Sequence, residues 1–226
     1  MAFGPIMKLT TESGLKLELA PFTREEVLVF IAGLQKQSTN QYNGMLPVTA
    51  EMEQEWFDKR SKESNVMLWG VWVVERDKRK LIGYTEINEI SPLVPTQRNI
   101  TQGSTSITLT NNSYWRRGIA SAAHYARTWY AFEQLGLVRL RSAVAQENTA
   151  SRRALDKVGY SHVYVERNFQ FIDGHYVHED MLECLNPADW AWRLWWGDDR
   201  PSRKNLQARK KTEAALAWSR EHVVLP

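Results

Sequence analysis

Residues 104–135 impose three conformations in immediate succession, and no other stretch of the chain narrows the choice of fold as far. Ser104 to Thr110 is a short β-rich run, Tyr114-Trp115-Arg116-Arg117-Gly118-Ile119-Ala120-Ser121 is a bend, and a helical pattern then continues to about Leu135. A strand that feeds a long helix through a tight turn leaves the first helical amides pointing outward without intrahelical partners, at the positive end of the macrodipole. Such a turn holds a phosphate-like anion with backbone alone. Gly118 and Ala120 keep the approach open, and Arg116 and Arg117 add positive charge. The same residues also suit an ordinary solvated helix start, so the turn has to be read with its neighbours.

Upstream, Leu15, Leu17 and Leu19 alternate with Lys16 and Glu18, the period-two pattern of a half-buried strand, which Pro21 ends. Thr23-Arg24-Glu25-Glu26 is a capping-box sequence, and Val27, Phe30, Ile31 and Leu34 continue it at helical spacing. Gln35 to Pro47 reads as a loop, after which Thr49 caps a second helix carrying Met52, Trp56 and Phe57. Val66 to Glu75 and Leu81 to Ile90, joined by the charged turn Arg76 to Lys80, make a β-hairpin. Ser91 to Gly103 has two prolines and no periodicity, a loop able to lie over a cleft. On the long helix Ile119, Ala122, Ala123, Ala126 and Tyr130 share one face, and the alanines allow close packing on a sheet. Val138 to Ala145 is the next strand, and Asn148 to Val158 is a short helix stopped by Gly159. Tyr160 to Ile172 and His175 to Leu185 are strands joined at Asp173-Gly174, a strong hairpin signal. The order is β, two helices, three strands, helix, strand, helix, two strands.

At 226 residues and 43% hydrophobic content the chain suffices for one good-sized domain, here 1–188, plus an extension, 189–226. No apolar run approaches the roughly 18 residues of a membrane span. The first ten residues lack a secretory pattern, so the expected location is the cytoplasm and no membrane partner is expected. A single cysteine, Cys184, excludes an intrachain disulfide and reads as a buried strand thiol, since no base lies evidently beside it. His162, His175 and His178 fall on the last hairpin without metal-ligand spacing, and no metal is expected. The net charge of +3 resides wholly in residues 198–226, where seven Lys or Arg meet four Asp or Glu. That excess is too small and too local for a nucleic-acid-binding protein. Trp190, Trp192, Trp195 and Trp196 crowd together after the last strand; they either pack the extension back onto the domain or offer a surface to a second copy. A helix is expected from Pro201-Ser202 to about Arg220.

The element order, the arginine-glycine turn after the fourth strand and Asn148-Thr149-Ala150-Ser151 opening the last helix together resemble the GNAT superfamily of N-acetyltransferases, most closely its RimJ/RimL type, which acetylates protein N-terminal amines. Asp156-Lys157-Val158-Gly159-Tyr160 stands where that family usually has Glu-Lys-Leu-Gly-Phe. The resemblance spans roughly Leu15 to Leu185. It implies an α/β fold: a mixed, mostly antiparallel central sheet of about seven strands flanked by four helices, splayed between the fourth and fifth, with a C-terminal helical extension. The family's phosphate loop opens on Arg or Gln where this chain has Trp115, a residue familiar in the RimJ/RimL branch. Carried over, Arg116, Arg117, Gly118, Ile119, Ala120 and Ser121 hold the coenzyme A pyrophosphate, and Leu109 with Thr110 presents strand backbone to the pantetheine arm. Asn148 reaches that arm from the other side, and also suits a helix cap.

Acetyl transfer from a thioester to an amine needs a neutral amine, a polarised carbonyl and a proton for the departing thiolate. Many family members place a tyrosine in the helix after the asparagine, but that position here is Leu155. RimL-type enzymes carry a serine three residues after the asparagine, so the resemblance implies Ser151 as the proton donor, beside the plain reading of a first-turn serine. The family's strand glutamate falls at about Thr105, where no carboxylate stands. Glu86 and Glu89 on the preceding strand are the nearest acids, on opposite faces by alternation, and Glu86 is preferred because it shares a face with Tyr84 and Asn88. Each also reads as a surface strand residue, and a water route or an amine that arrives neutral needs no dedicated base. The expectation is an acetyl-CoA-dependent N-acetyltransferase working by direct attack in a ternary complex, with acetyl-CoA as co-substrate. Its acceptor is a primary amine, on a protein N-terminus or a small molecule. The alternative is a non-catalytic GNAT-fold module that binds coenzyme A or a partner. Protein N-terminus, aminoglycoside, polyamine and amino acid all stay open.

Overall fold

Alternating or wholly apolar runs rich in Val, Leu and Trp form the strands. In the computed structural model, which describes residues 3–42, 48–76, 78–96, 98–172 and 174–226, there are eight: β1 Met7–Thr10, β2 Lys16–Ala20, β3 Met67–Glu75, β4 Lys78–Pro92, β5 Thr101–Leu109, β6 Arg139–Ala145, β7 Ser161–Ile172 and β8 His175–Leu185. Hydrogen-bonded neighbours follow the order β1-β2-β3-β4-β5-β6-β8-β7. β1–β2, β2–β3, β3–β4, β6–β8 and β7–β8 pair antiparallel, whereas β5 and β6 run parallel. The strand beyond the seven expected is β1, whose Met7 and Leu9 are buried and whose register sets Met7 against Leu19. The expected fourth and fifth strands are therefore β5 and β6.

The helices are α1 Ile31–Leu34, entered through the 3-10 turn Glu26–Phe30, then α2 Gln37–Asn40, α3 Ala50–Arg60, α4 Ile119–Trp129, α5 Thr149–Val158, α6 Asp189–Trp196 and α7 Arg203–His222. A π-helical turn, Tyr130–Gln134, continues α4. The capping box forms as read: the Thr23 amide donates to Glu26 Oε2 at 2.8 Å and the Glu26 amide to Thr23 Oγ1 at 3.2 Å. Thr49 caps α3 by accepting from the Met52 amide. The expected loop from Gln35 to Pro47 contains the single turn α2, while residues 43–47 of that loop and Asp173 of the hairpin turn lie outside the described residues. The expected loop Ser91 to Gly103 is shorter than read, because β4 runs on to Pro92 and β5 already starts at Thr101.

The chain forms two compact units, Met1–Asn88 with Ser106–Ala123 and His222–Pro226, and Glu89–Thr105 with His124–Glu221. In the first, Phe22, Phe30, Leu34, Leu68, Trp72 and Leu81 build a core against which Phe3, Trp56, Phe57 and Tyr84 pack. Glycine sets the spacing there: a Cβ on Gly33 would sit 2.0 Å from the Thr110 carbonyl oxygen, and one on Gly83 would sit 2.1 Å from that of Thr108. In the second, the fully buried Arg127 lies one helical turn from His124, with Nη2 2.7 Å from His124 Nδ1. Burial, then the neighbouring guanidinium, holds the imidazole well below its ordinary pKa, so it stays neutral. α7 buries Thr212, Ala215, Leu216 and Ser219 along one face. Its fit depends on Gly159, where a Cβ would meet Thr212 Oγ1 at 2.2 Å.

Candidate active site

The turn between β5 and α4 has the backbone that an anion cradle requires. Arg116 and Gly118 take left-handed conformations, with φ of 60° and 78°, two such residues separated by one. Left-handed residues among right-handed ones turn successive N–H groups into a concave nest, and a non-glycine residue held there is a strain found at functional sites. The Ala122 amide bonds back to the Gly118 carbonyl, so the amides of Ile119, Ala120 and Ser121 head α4 without intrahelical acceptors. Arg116 and Arg117 are exposed, and among the described residues neither forms an ion pair. Arg117 lies 5.2 Å from the Tyr114 ring centroid, and its carbonyl accepts from Ser13 Oγ at 3.2 Å, which fixes the turn against the β1–β2 hairpin.

Trp115, where the family pattern has Arg or Gln, ties this turn to the strand before it. Its indole Nε1 donates to the Leu109 carbonyl at 3.1 Å. The Thr110 amide and hydroxyl both donate to the Ile82 carbonyl on β4, at 2.9 and 3.2 Å. By strand alternation the amides of Ile107 and Leu109 point to the edge away from β4. The parallel ladder of β5 with β6 comprises only Gln102↔Arg139, Gly103↔Leu140 and Ser104↔Arg141. Half-buried Ile107 and Leu109 thus carry backbone donors of the kind an amide-bearing ligand adds to as an extra strand, whereas buried Thr110 has both donors engaged.

At the head of α5, Asn148 is a helix cap: its Oδ1 accepts from the Ser151 amide at 3.1 Å, leaving the side-chain amide nitrogen free of that contact. Ser151 is half-buried. Leu155, where many relatives place a tyrosine, is buried and contributes only to packing. Thr105 is structural too, its hydroxyl 3.1 Å from the Arg141 carbonyl and 2.9 Å from the Tyr160 hydroxyl. Cys184 is buried, and desolvation pushes its thiol up to about 12, which keeps it protonated and unreactive.

Alternation separates the two candidate acids as expected. Glu89, at a left-handed kink in β4 with φ of 51°, faces solvent and pairs with Arg141 at 3.2 Å. Glu86 is 4% exposed. Its Oε1 accepts from Asn88 Nδ2 at 2.6 Å, Arg60 Nη2 at 3.0 Å and Ser106 Oγ at 3.2 Å. Its Oε2 is buried with no hydrogen-bond partner among the described residues. Arg60 also donates to Glu63 at 2.6 Å. Sequence reasoning took Glu86 from alternation alone and missed Arg60 and Glu53. On α3 the apolar Met52 is 49% exposed, whereas Glu53 is 4% exposed. The available signal was spacing: Glu53, Trp56, Phe57 and Arg60 stand at i, i+3, i+4 and i+7, one face of a helix.

Comparison with known proteins fits this geometry. The family model described as the GNAT acetyltransferase domain matches residues 16–161. The chain belongs to this acetyltransferase family. It is 26% identical over 184 residues to an uncharacterized N-acetyltransferase, YoaA, of Bacillus subtilis strain 168, covering 81% of this chain and 94% of that protein. Among solved structures, spermidine N-acetyltransferase from Vibrio cholerae in complex with CoA and spermine superposes with a TM-score of 0.65 at 19% identity, covering 75% of this chain and 95% of that one. Mycobacterium smegmatis RimJ in complex with CoA-disulfide gives a TM-score of 0.65 at 17% identity, covering 85% and 93%. At those identities the structures establish the GNAT fold. No helix among the described residues is long and apolar enough to cross a membrane, and none of their His, Cys, Asp and Glu groups is placed to hold a metal ion.

Proposed function

We propose that the chain is an acetyl-CoA-dependent N-acetyltransferase of the RimJ/RimL type that acetylates a primary amine by direct attack in a ternary complex. The observation that carries this is the turn at the head of α4, with left-handed Arg116 and Gly118 and two exposed guanidinium groups that form no ion pair among the described residues. It suits a pyrophosphate, which backbone amides of Arg116 to Ser121 hold and the arginines neutralise. The pantetheine amides add to the edge of β5 at Ile107 and Leu109, and the family resemblance assigns Asn148 to the same arm. CoA complexes of both structural relatives support the co-substrate.

In the reaction the amine nitrogen forms a bond to the thioester carbon and the carbon–sulfur bond breaks. Glu86 Oε2, without a hydrogen-bond partner among the described residues, takes the proton leaving the amine, and Ser151 Oγ, assigned by the family resemblance, relays a proton from solvent to the thiolate and regains its own. The other oxygen of Glu86 is pinned by three donors, so the carboxylate cannot rotate away. Neither step uses a metal.

Calorimetric titration with coenzyme A tests the first half, and absence of binding at millimolar ligand would refute it. Intact-mass detection of product from a panel of amines tests the second. Buried Leu155, in place of the usual tyrosine, favours one other reading, a module that binds coenzyme A without catalysis. Coenzyme A binding with no acetylated product from any amine would select it.

A further inference from the structure

The inward face of α3 carries charge where a packing helix would carry leucine. Glu53 and Arg60 lie two turns apart on it, with Trp56 between them. Trp56 packs tilted against Tyr84, ring centroids 5.0 Å apart, and Tyr84 contacts Phe30 at 5.4 Å. Desolvation, reinforced by Glu86 and Glu53, pushes the Tyr84 phenol up to about 12, so both carboxylates act on the same ring and the phenol remains a neutral donor. Two carboxylates, Glu53 and Glu86, and the guanidinium of Arg60 act on this ring among the described residues.

Arg60 is shared between Glu63 and Oε1 of Glu86. Oε2 of Glu86 is buried without a hydrogen-bond partner among the described residues, and Glu53 is buried on the same side of the ring cluster. Burying a carboxylate without a partner is unfavourable, and burial alone raises the pKa of Glu53. A packing role is better served by an apolar side chain, and Met52, next in sequence, stands in solvent instead. A cation would satisfy such groups. An ammonium supplies three donors, and aromatic faces such as Trp56 and Tyr84 stabilise it further.

We propose that Glu53, Trp56, Tyr84 and Glu86 select an acceptor with two positive charges, an aliphatic diamine or longer polyamine, placing the reacting nitrogen at Glu86 and the second ammonium against Glu53 and Trp56. This rests on the acetyltransferase reading and not on its RimJ/RimL subtype, and the experiment separates the two. Binding of 1,3-diaminopropane, 1,4-diaminobutane and 1,5-diaminopentane is measured by calorimetry on the full chain saturated with coenzyme A, each against the monoamine of equal length. Product formation from the same amines is followed by mass. The expected result is at least tenfold tighter binding of one or more diamines than of the matched monoamine, reduced to threefold or less by Glu53→Gln. Equal affinities for diamines and monoamines in the unsubstituted protein overturn the proposal, and so does a preference that Glu53→Gln leaves unchanged. Trp56→Leu gives a second variant should Glu53→Gln fold poorly, with the same loss of preference expected. Diamine-selective binding without any product would refute the acetyltransferase reading while leaving the cation site standing; product from monoamines and diamines alike would do the reverse.

Discussion

Replacing Gly118 with alanine isolates the contribution of the turn proposed to hold the pyrophosphate. Gly118 has φ of 78°, and the nearest atom to an added Cβ is Thr11 Cβ at 3.7 Å, an ordinary contact. The substitution is therefore free of clash, and its cost is the left-handed conformation itself, about 1–2 kcal/mol for a residue with a Cβ. Residues 115–118 are exposed, so little packing holds the turn in that form, and in the variant it relaxes. Coenzyme A must then restore the strained turn on binding, which weakens its affinity by about 5-fold to 30-fold at 1.4 kcal/mol per tenfold. Gly174 provides the control: its φ is 82° with nothing within 4 Å of an added Cβ, so alanine costs the same there but on the β7–β8 hairpin. Titration calorimetry at fixed ionic strength reads the difference. A coenzyme A affinity in Gly118→Ala within twofold of the unsubstituted protein, or equal weakening in Gly174→Ala, would refute the assignment of the pyrophosphate to this turn.

Ser151→Ala should lower turnover more than tenfold with little change in acetyl-CoA affinity, and unchanged steady-state turnover would clear the serine of the acid role. Gly159→Ala should destabilise by about 2–5 kcal/mol, because left-handed strain adds to overpacking against Thr212, and lower the melting temperature by about 5–15 °C. His124 is held neutral in the fold, whereas the unfolded chain protonates it below its ordinary pKa, so stability falls as pH drops below about 6.5. Urea unfolding between pH 7.5 and 5 should show a shallower loss in His124→Asn by up to about 1.4 kcal/mol per pH unit; identical pH slopes would contradict the buried neutral imidazole. Cys184 should resist thiol reagents at pH 8 in the native protein and react on unfolding.

Much of this was legible in the chain because the signals are local. The capping box at Thr23, the stop at Gly159 and the strand-to-helix turn at Gly118 depend on a few neighbouring residues, and the structure forms all three. Alternation placed Glu86 and Asn88 on one face, which their 2.6 Å hydrogen bond shows. Strand β1 escaped notice because four residues carry too short a pattern, and its burial comes from pairing with β2. Glu53 escaped because an acid beside a methionine on a helix reads as solvent-facing until the helix is docked.

The sequence by itself determined the family, the order of elements and the strand-to-helix turn at Gly118, since each follows from residues within a few positions of one another. Tertiary structure alone decided which side chains are deprived of water. It buried Glu53 and Glu86, exposed Met52 and gave Oε1 of Glu86 three donors while leaving Oε2 without a hydrogen-bond partner among the described residues. Burial depends on what packs opposite a residue from distant parts of the chain, and desolvation raises the pKa of an acid such as Glu53 that reads as a surface residue in the sequence.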